Sequence, residues 1–380
     1  MAEVRAESPV ADNGQFIDSV VQLAEVALGG ATQVARSTVR SLARKHREAN
    51  PELSQRLVQL LRESPLRSAT ATATAVVPTP IDGDSRIPLA RVDTVVPLAA
   101  TPILAEPVRN ALEQLRDEHL ASDELARAGL APSRTALFVG PPGVGKTLSA
   151  RWLARELDRP LVTLDLAAVV SSFLGRTGIN VKRVLDYAKS FPCVLLLDEL
   201  DAIAKRRDDL ADLGELKRLV TVLLQELDEW PETSVLLAAT NHDELLDPAV
   251  WRRFEVIARF PLPDEPAVRQ AIEQHLVDDP VPSDVLDLFV ATQVGTSFSD
   301  IERQVNLARR RAAIRALPLS DEILRVVQQQ LRGLPRDERI SRASALVASG
   351  LVTQRKASEL SGVSRDTIRH HVQRVGGVHA

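Results

Sequence analysis

Apolar residues in the middle of this chain follow two alternating rhythms. The runs Thr135–Val139, Leu161–Asp165, Val194–Asp198 and Ser234–Ala239 are short and largely apolar, and stretches with helical spacing separate them. Runs of this kind predict strands buried on both faces, and the intervening stretches predict helices at 106–118, 147–157, 178–189 and 215–228. In the second of these helices, Leu148, Trp152, Leu153 and Leu157 mark the expected buried face. Strands alternating with helices predict an α/β fold, a parallel sheet flanked by helices, over residues 103–263. Past Pro263 the strand-like runs stop, and the helical period continues through Glu265–Arg332, so an α-helical lid is expected at 264–335.

The flanks read differently. Phe16–Leu28 and Gln33–Leu61 keep helical spacing, with Leu53, Leu57, Leu60 and Leu61 on one face and a break at Asn50-Pro51. A small helical N-terminal module is expected at 1–67. Residues 68–102 are rich in Thr, Ala and Pro and predict a linker. Residues 336–380 predict a second small helical module. Within it Leu360, Val363, Ile368 and Val372 are spaced as a core, Gly362 supplies a turn and Ser364 can cap a following helix, a helix-turn-helix-like pattern. That helix would present Arg365, Asp366, Thr367, Arg369 and His370, types that contact phosphates and base edges. Arg365, Thr367 and Arg369 are the candidate DNA contacts, and a small docking module for protein is the alternative reading of the same pattern.

Charge sharpens this division. The net charge of -4 combines basic flanks with an acidic middle: Arg36–Arg67 carries eight Lys/Arg against three Asp/Glu, and Arg336 to the end carries eight against four. Apolar runs such as Cys193–Leu197 are far too short to span a bilayer, and the N-terminus lacks the layout of a signal peptide. A cytoplasmic protein without membrane contact is expected. The single cysteine, Cys193, excludes an intramolecular disulfide and heads a strand, where core packing is expected.

The chemistry lies at the strand ends. Gly140-Pro141-Pro142-Gly143-Val144-Gly145-Lys146-Thr147 follows the first strand directly, and Leu148 continues into a helix. Three glycines let consecutive N–H groups face one anion at a helix N-terminus, so a phosphate-binding loop is predicted. Lys146 would reach the β and γ phosphates and Thr147 would hold magnesium. The third strand ends in Asp198-Glu199. Asp198 would hold the metal through its water shell, and Glu199 would polarise the attacking water. Asn241 follows the fourth strand, where an amide can orient the same water.

The segments GPPGVGKT, LLLDELDAIAKRR (195–207), AATNHDELLDPAV (238–250) and RRF (252–254) resemble the AAA ATPase family, over about residues 93–318. The resemblance implies a P-loop AAA sheet with an α-helical lid, ATP and Mg2+ as ligands, and hydrolysis by Glu199 and Asn241. It also implies a homo-oligomeric ring, usually a hexamer, in which Arg252 or Arg253 completes a neighbour's site. Here those arginines are adjacent, whereas the family usually separates them. Phe173-Leu174-Gly175 stands where AAA unfoldases carry a substrate-gripping pore loop, and GTSFSDIERQV (295–305) stands at the family's lid start with Phe298 and Ser299 in place of small residues. WRRF, GELKRLV (214–220) and the N-terminal module are similar to a bacterial AAA group found beside subtilisin-like proteases, which implies a protease as partner. The expectation is an ATPase that remodels a protein substrate; the alternative is an ATP-dependent DNA-binding regulator.

Overall fold

The computed structural model describes residues 79–82, 86–96, 100–172, 177–202, 213–276 and 279–376, together with Leu53, Arg56 and Leu57. Leu53 and Leu57 are buried and Arg56 is exposed; the rest of the expected N-terminal module lies outside the described residues.

Strand β1 (Arg91–Asp93) precedes helices α1 (Glu106–Leu120) and α2 (Ser122–Arg127). There follow β2 (Thr135–Val139), α3 (Lys146–Glu156), β3 (Leu161–Asp165), α4 (Leu166–Ser172), α5 (Thr177–Lys189), β4 (Val194–Asp198), α6 (Leu213–Asp228) and β5 (Val235–Thr240). A short helix α7 (Pro248–Trp251) leads to β6 (Val256–Arg259). The remaining described elements are helices: α8 (Glu265–His275), α9 (Ser283–Gln293), α10 (Phe298–Arg315), α11 (Leu319–Gly333), α12 (Arg336–Ala348), α13 (Gln354–Ser361) and α14 (Arg365–Gly376).

The strands form one sheet in the order β1-β3-β4-β5-β2-β6, parallel throughout except for β1. Alternate residues of each strand enter different cores, as the twofold strand period requires. Ala136, Phe138 and Leu196 pack with Leu112 of α1 and Leu153 of α3. Leu137, Leu195 and Leu197 pack with Val184 of α5 and Leu223 of α6 on the opposite face. Helices thus cover both faces, and the strand ends that carry β2, β4 and β5 into their loops share one edge.

Three expectations change. The stretch read as linker supplies β1, which pairs antiparallel with β3 through Arg91 opposite Thr163 and Asp93 opposite Leu161. Just before it, the buried Asp82 carboxylate accepts from the buried Asn180 amide of α5 at 3.0 Å. Second, the chain after β5 returns to the sheet as β6, an edge strand with Ile257 exposed and Ala258 buried. Third, α3 buries Ser149, Ala150, Leu153 and Ala154, while Leu148 and Trp152 are only half-buried. Small side chains let this helix approach the sheet closely, and Trp152 lies instead beneath the Arg116 guanidinium at 5.8 Å.

The lid helices enclose their own core of Val268, Phe289, Ile301, Val305 and Ile323, and Leu346 of α12 and Leu360 of α13 join it. The C-terminal helices expected at 336–380 thus reach the lid core through these two residues, while Ala343, Ala357, Val363 and Ile368 form a small core of their own. Cys193 is buried as expected; its thiol donates to the Ala188 carbonyl at 3.2 Å, and burial pushes its pKa up to about 12, which leaves it unreactive. No helix among the described residues is long and apolar enough to cross a membrane.

Candidate active site

The loop Gly140–Gly145 turns on glycines at positions where a side chain would meet strain or a close neighbour. Gly143 has φ +76°, Gly145 has φ +101° and begins α3, and Gly140 lies so close to β6 that a Cβ there would stand 2.2 Å from the Phe260 carbonyl oxygen. A Cβ on Gly143 would stand 2.7 Å from Ser297 Oγ and 2.9 Å from Ser299 Cβ, both at the start of α10. The lid thus rests on the loop itself. Ser299 N–H donates to the Gly143 carbonyl at 3.2 Å, and Ser297 caps α10 by accepting from Asp300 N–H at 3.2 Å. Phe298-Ser299, the departure noted in the sequence, therefore supplies a backbone contact between lid and loop.

Lys146 is 8% exposed. Its ammonium donates to the carbonyls of Gly140 at 2.7 Å and Pro141 at 2.9 Å, and to Asn241 Oδ1 at 2.7 Å. Burial lowers its pKa, and the carboxylates of Asp198 and Asp201 oppose that shift. Thr147 Oγ1 donates to Asp198 Oδ2 at 3.3 Å. A hydroxyl and a carboxylate so placed beside a buried ammonium form an oxygen donor set of the kind magnesium takes when bound with phosphates. Among the described residues no cluster of three or more His, Cys, Asp or Glu could hold a metal by itself.

Glu199 follows β4 with φ +56°, a left-handed conformation uncommon for a residue with a side chain. Its N–H donates to Asp198 Oδ1 at 3.0 Å, and the next N–H, of Leu200, donates to the Ala239 carbonyl of β5 at 2.9 Å. The chain thus reverses sharply after the two acids. Strain of this order persists where surrounding bonds enforce it, and such positions cluster at functional sites.

Asp201 carries no role in the sequence motifs taken alone. It is 3% exposed, and its Oδ1 accepts from Thr240 Oγ1 at 3.2 Å and from Asn241 N–H at 3.3 Å. This carboxylate ties the loop carrying Asn241 to the turn carrying Glu199. Its signal was available: an acid three residues after Asp198, where a chain leaving a buried strand has few polar reasons to place one.

The arginines differ. Both are exposed at the end of α7, whose first turn is capped by Asp247 accepting from Ala249 N–H at 2.9 Å. Arg253 Nη1 reaches Asp228 of α6 at 2.5 and 2.6 Å. The Arg252 side chain makes no hydrogen bond or ion pair among the described residues. Trp251 anchors the helix beneath Arg259 at 5.2 Å. Phe173, Leu174 and Gly175, expected as a pore loop, lie outside the described residues.

Residues 136–262 match the ATPase family associated with various cellular activities (AAA). The AAA segment therefore contains the glycine loop, the paired acids, Asn241 and both arginines. The chain is 39% identical over 186 residues to the AAA family ATPase y4kL of Sinorhizobium fredii, covering 49% of this chain and 56% of that protein. It is 33% identical over 254 residues to the ATP-dependent zinc metalloprotease FtsH 3 of Sphaerobacter thermophilus, covering 62% of this chain and 51% of that one. The chain thus spans about half the length of these relatives. Among solved structures, the FIGL-1 AAA domain superposes with a TM-score of 0.54 at 21% identity, covering 68% of this chain and 91% of the domain. The fold is that of an AAA domain with further helices at its C-terminal end.

Proposed function

We propose that the chain hydrolyses ATP at the loop of the AAA segment and, as a homo-oligomeric ring, uses that turnover to remodel a protein substrate. The observation that carries the catalytic part is the convergence of Lys146, Thr147, Asp198 and Asn241 within hydrogen-bond reach at one loop, with Glu199 next in the chain. Backbone N–H groups of the glycine loop and the Lys146 ammonium hold the terminal phosphates. Thr147 and Asp198 would hold magnesium, which would supply neutralisation of phosphate charge. Glu199 accepts a proton from water, and Asn241, fixed through Asp201, orients that water without adding charge.

Arg252 is the residue assigned to a neighbour's site. A finger must be free to cross an interface, and Arg253 is already engaged by Asp228 within its own chain. Two considerations support the protein-remodelling reading. One is similarity to a relative described as an ATP-dependent protease; the other is Phe173-Leu174-Gly175, whose aromatic ring suits apolar grip on an extended chain. The test is ATP turnover of the purified protein with and without an unfolded polypeptide. The polypeptide is expected to stimulate turnover, and Phe173→Ala to remove the stimulation while leaving the basal rate. Equal stimulation of both proteins would refute the gripping role.

A further inference from the structure

Most of the positive charge on the C-terminal helices has no ion-pair partner among the described residues. Arg269, Arg309, Arg315 and Arg325 of the lid each pair with an acid. In residues 336–376 the one ion pair among the described residues is Lys356 with Glu359, at 3.8 Å. Arg336, Arg342, Arg355, Arg365, Arg369 and Arg374 are all exposed. Asp337, Glu338, Glu359 and Asp366 are exposed on the same unit, and the excess of eight Lys/Arg over these four acids suits a polyanion.

The geometry gives that charge a form. Helix α13 ends at Gly362, with φ +72° and its N–H on the Ser358 carbonyl at 2.8 Å, and after Val363 and Ser364 helix α14 begins. Ser364 Oγ accepts from Thr367 N–H at 3.2 Å and shares a 2.8 Å bond with the Thr367 hydroxyl, so Thr367 belongs to the cap rather than to the outward face. Ile368 is fully buried with Ala343 of α12, Ala357 of α13 and Val363. With that side packed inward, Arg365, Arg369 and Gln373, four residues apart, line an exposed stripe, with Asp366 and His370 beside it. His371 is half-buried.

We infer that α13, the three-residue turn and α14 form a docking face for B-form duplex DNA, with the first turns of α14 in the major groove. Arg365 and Arg369 meet phosphates at the rim of the groove, Asp366 can accept from a cytosine amino group, and Arg355 at the start of α13 meets backbone phosphate. The exposed large apolar residues of the described chain all lie before residue 336, so this face lacks the anchors that a membrane or a typical protein partner would use. Duplex RNA presents a major groove too narrow for a helix.

The test is fluorescence anisotropy of the full chain with a duplex DNA of about 30 base pairs and an RNA duplex of the same sequence, across a salt series. The DNA is expected to bind with steep salt dependence. Arg365→Gln/Arg369→Gln should weaken it about tenfold or more and reduce the log–log salt slope by about 2. Arg365→Lys/Arg369→Lys should recover most of the affinity, and thermal melting of both variants should match wild type. ATP turnover should be unchanged in these variants, while Lys146→Ala should lose turnover and keep DNA binding, so the two functions fail separately. Absence of DNA binding at low salt, equal affinity for the RNA duplex, or unchanged binding in the folded glutamine variant would overturn the inference.

Discussion

Lys146 shows how a charge is kept where burial disfavours it. Two loop carbonyls and the Asn241 amide oxygen surround its ammonium, and Asp198 and Asp201 supply the balancing field. His119 shows the opposite outcome. It is 4% exposed; its Nε2 lies 2.8 Å from the Ser133 carbonyl and its Nδ1 lies 3.3 Å from Arg159 Nη1, so Nε2 donates, Nδ1 accepts and the ring is neutral. Burial first, and the Arg159 charge second, lower its pKa from 6.5 to about 4. The unfolded chain takes up a proton between these values that the folded chain refuses. Stability is therefore full above pH 6.5, falls as pH drops toward 4 by about 1.4 kcal/mol per unit at most from this residue, and loses no more below it. Thermal melting from pH 7 to pH 4 should show a shallower loss in His119→Gln than in wild type; equal slopes would refute the assignment. None of this was legible in the sequence, because His119 sits on a helix beside residues whose partners come from other parts of the chain.

At the scale of elements, the central strands were legible because burial on both faces leaves a short apolar run with no polar interruption. The two edge strands lack that signature. β1 is three residues with an exposed arginine, and β6 alternates exposed Ile257 with buried Ala258. Of the expected buried face of α3, Leu153 and Leu157 are buried, whereas Leu148 and Trp152 give way to Ser149, Ala150 and Ala154, because Ala and Ser pack closest to a sheet while carrying little hydrophobic weight. The lid contact was legible only as an unusual Phe298-Ser299 pair, since its partner, the Gly143 carbonyl, is a backbone atom. It makes a prediction. Gly145→Ala adds only left-handed strain, about 1–2 kcal/mol, because a Cβ there meets nothing within 4 Å. Gly143→Ala adds the same strain and a collision with Ser297 and Ser299, so it should lower the melting temperature further and weaken binding of a non-hydrolysable ATP analogue more. Equal effects would mean that the lid does not rest on the loop in solution.

Across the whole molecule, the AAA segment and the lid bring the loop, the acids and Asn241 to one edge of the sheet, while Arg252 stands exposed and free of partners among the described residues. The glycine loop was the most legible feature of the sequence, since its residues are contiguous and the left-handed turns at Gly143 and Gly145 follow from their own identity. Asp201 and the difference between Arg252 and Arg253 became apparent only from partners distant in the chain. ATP turnover, measured beside nucleotide binding for wild type, Glu199→Gln, Arg252→Ala and Arg253→Ala, tests the central claim. Wild type should turn over ATP. Glu199→Gln should bind nucleotide with turnover reduced about 100-fold or more, Arg252→Ala should lose about 1,000-fold, and Arg253→Ala should retain most of its rate. Turnover by Glu199→Gln at the wild-type rate would contradict the account.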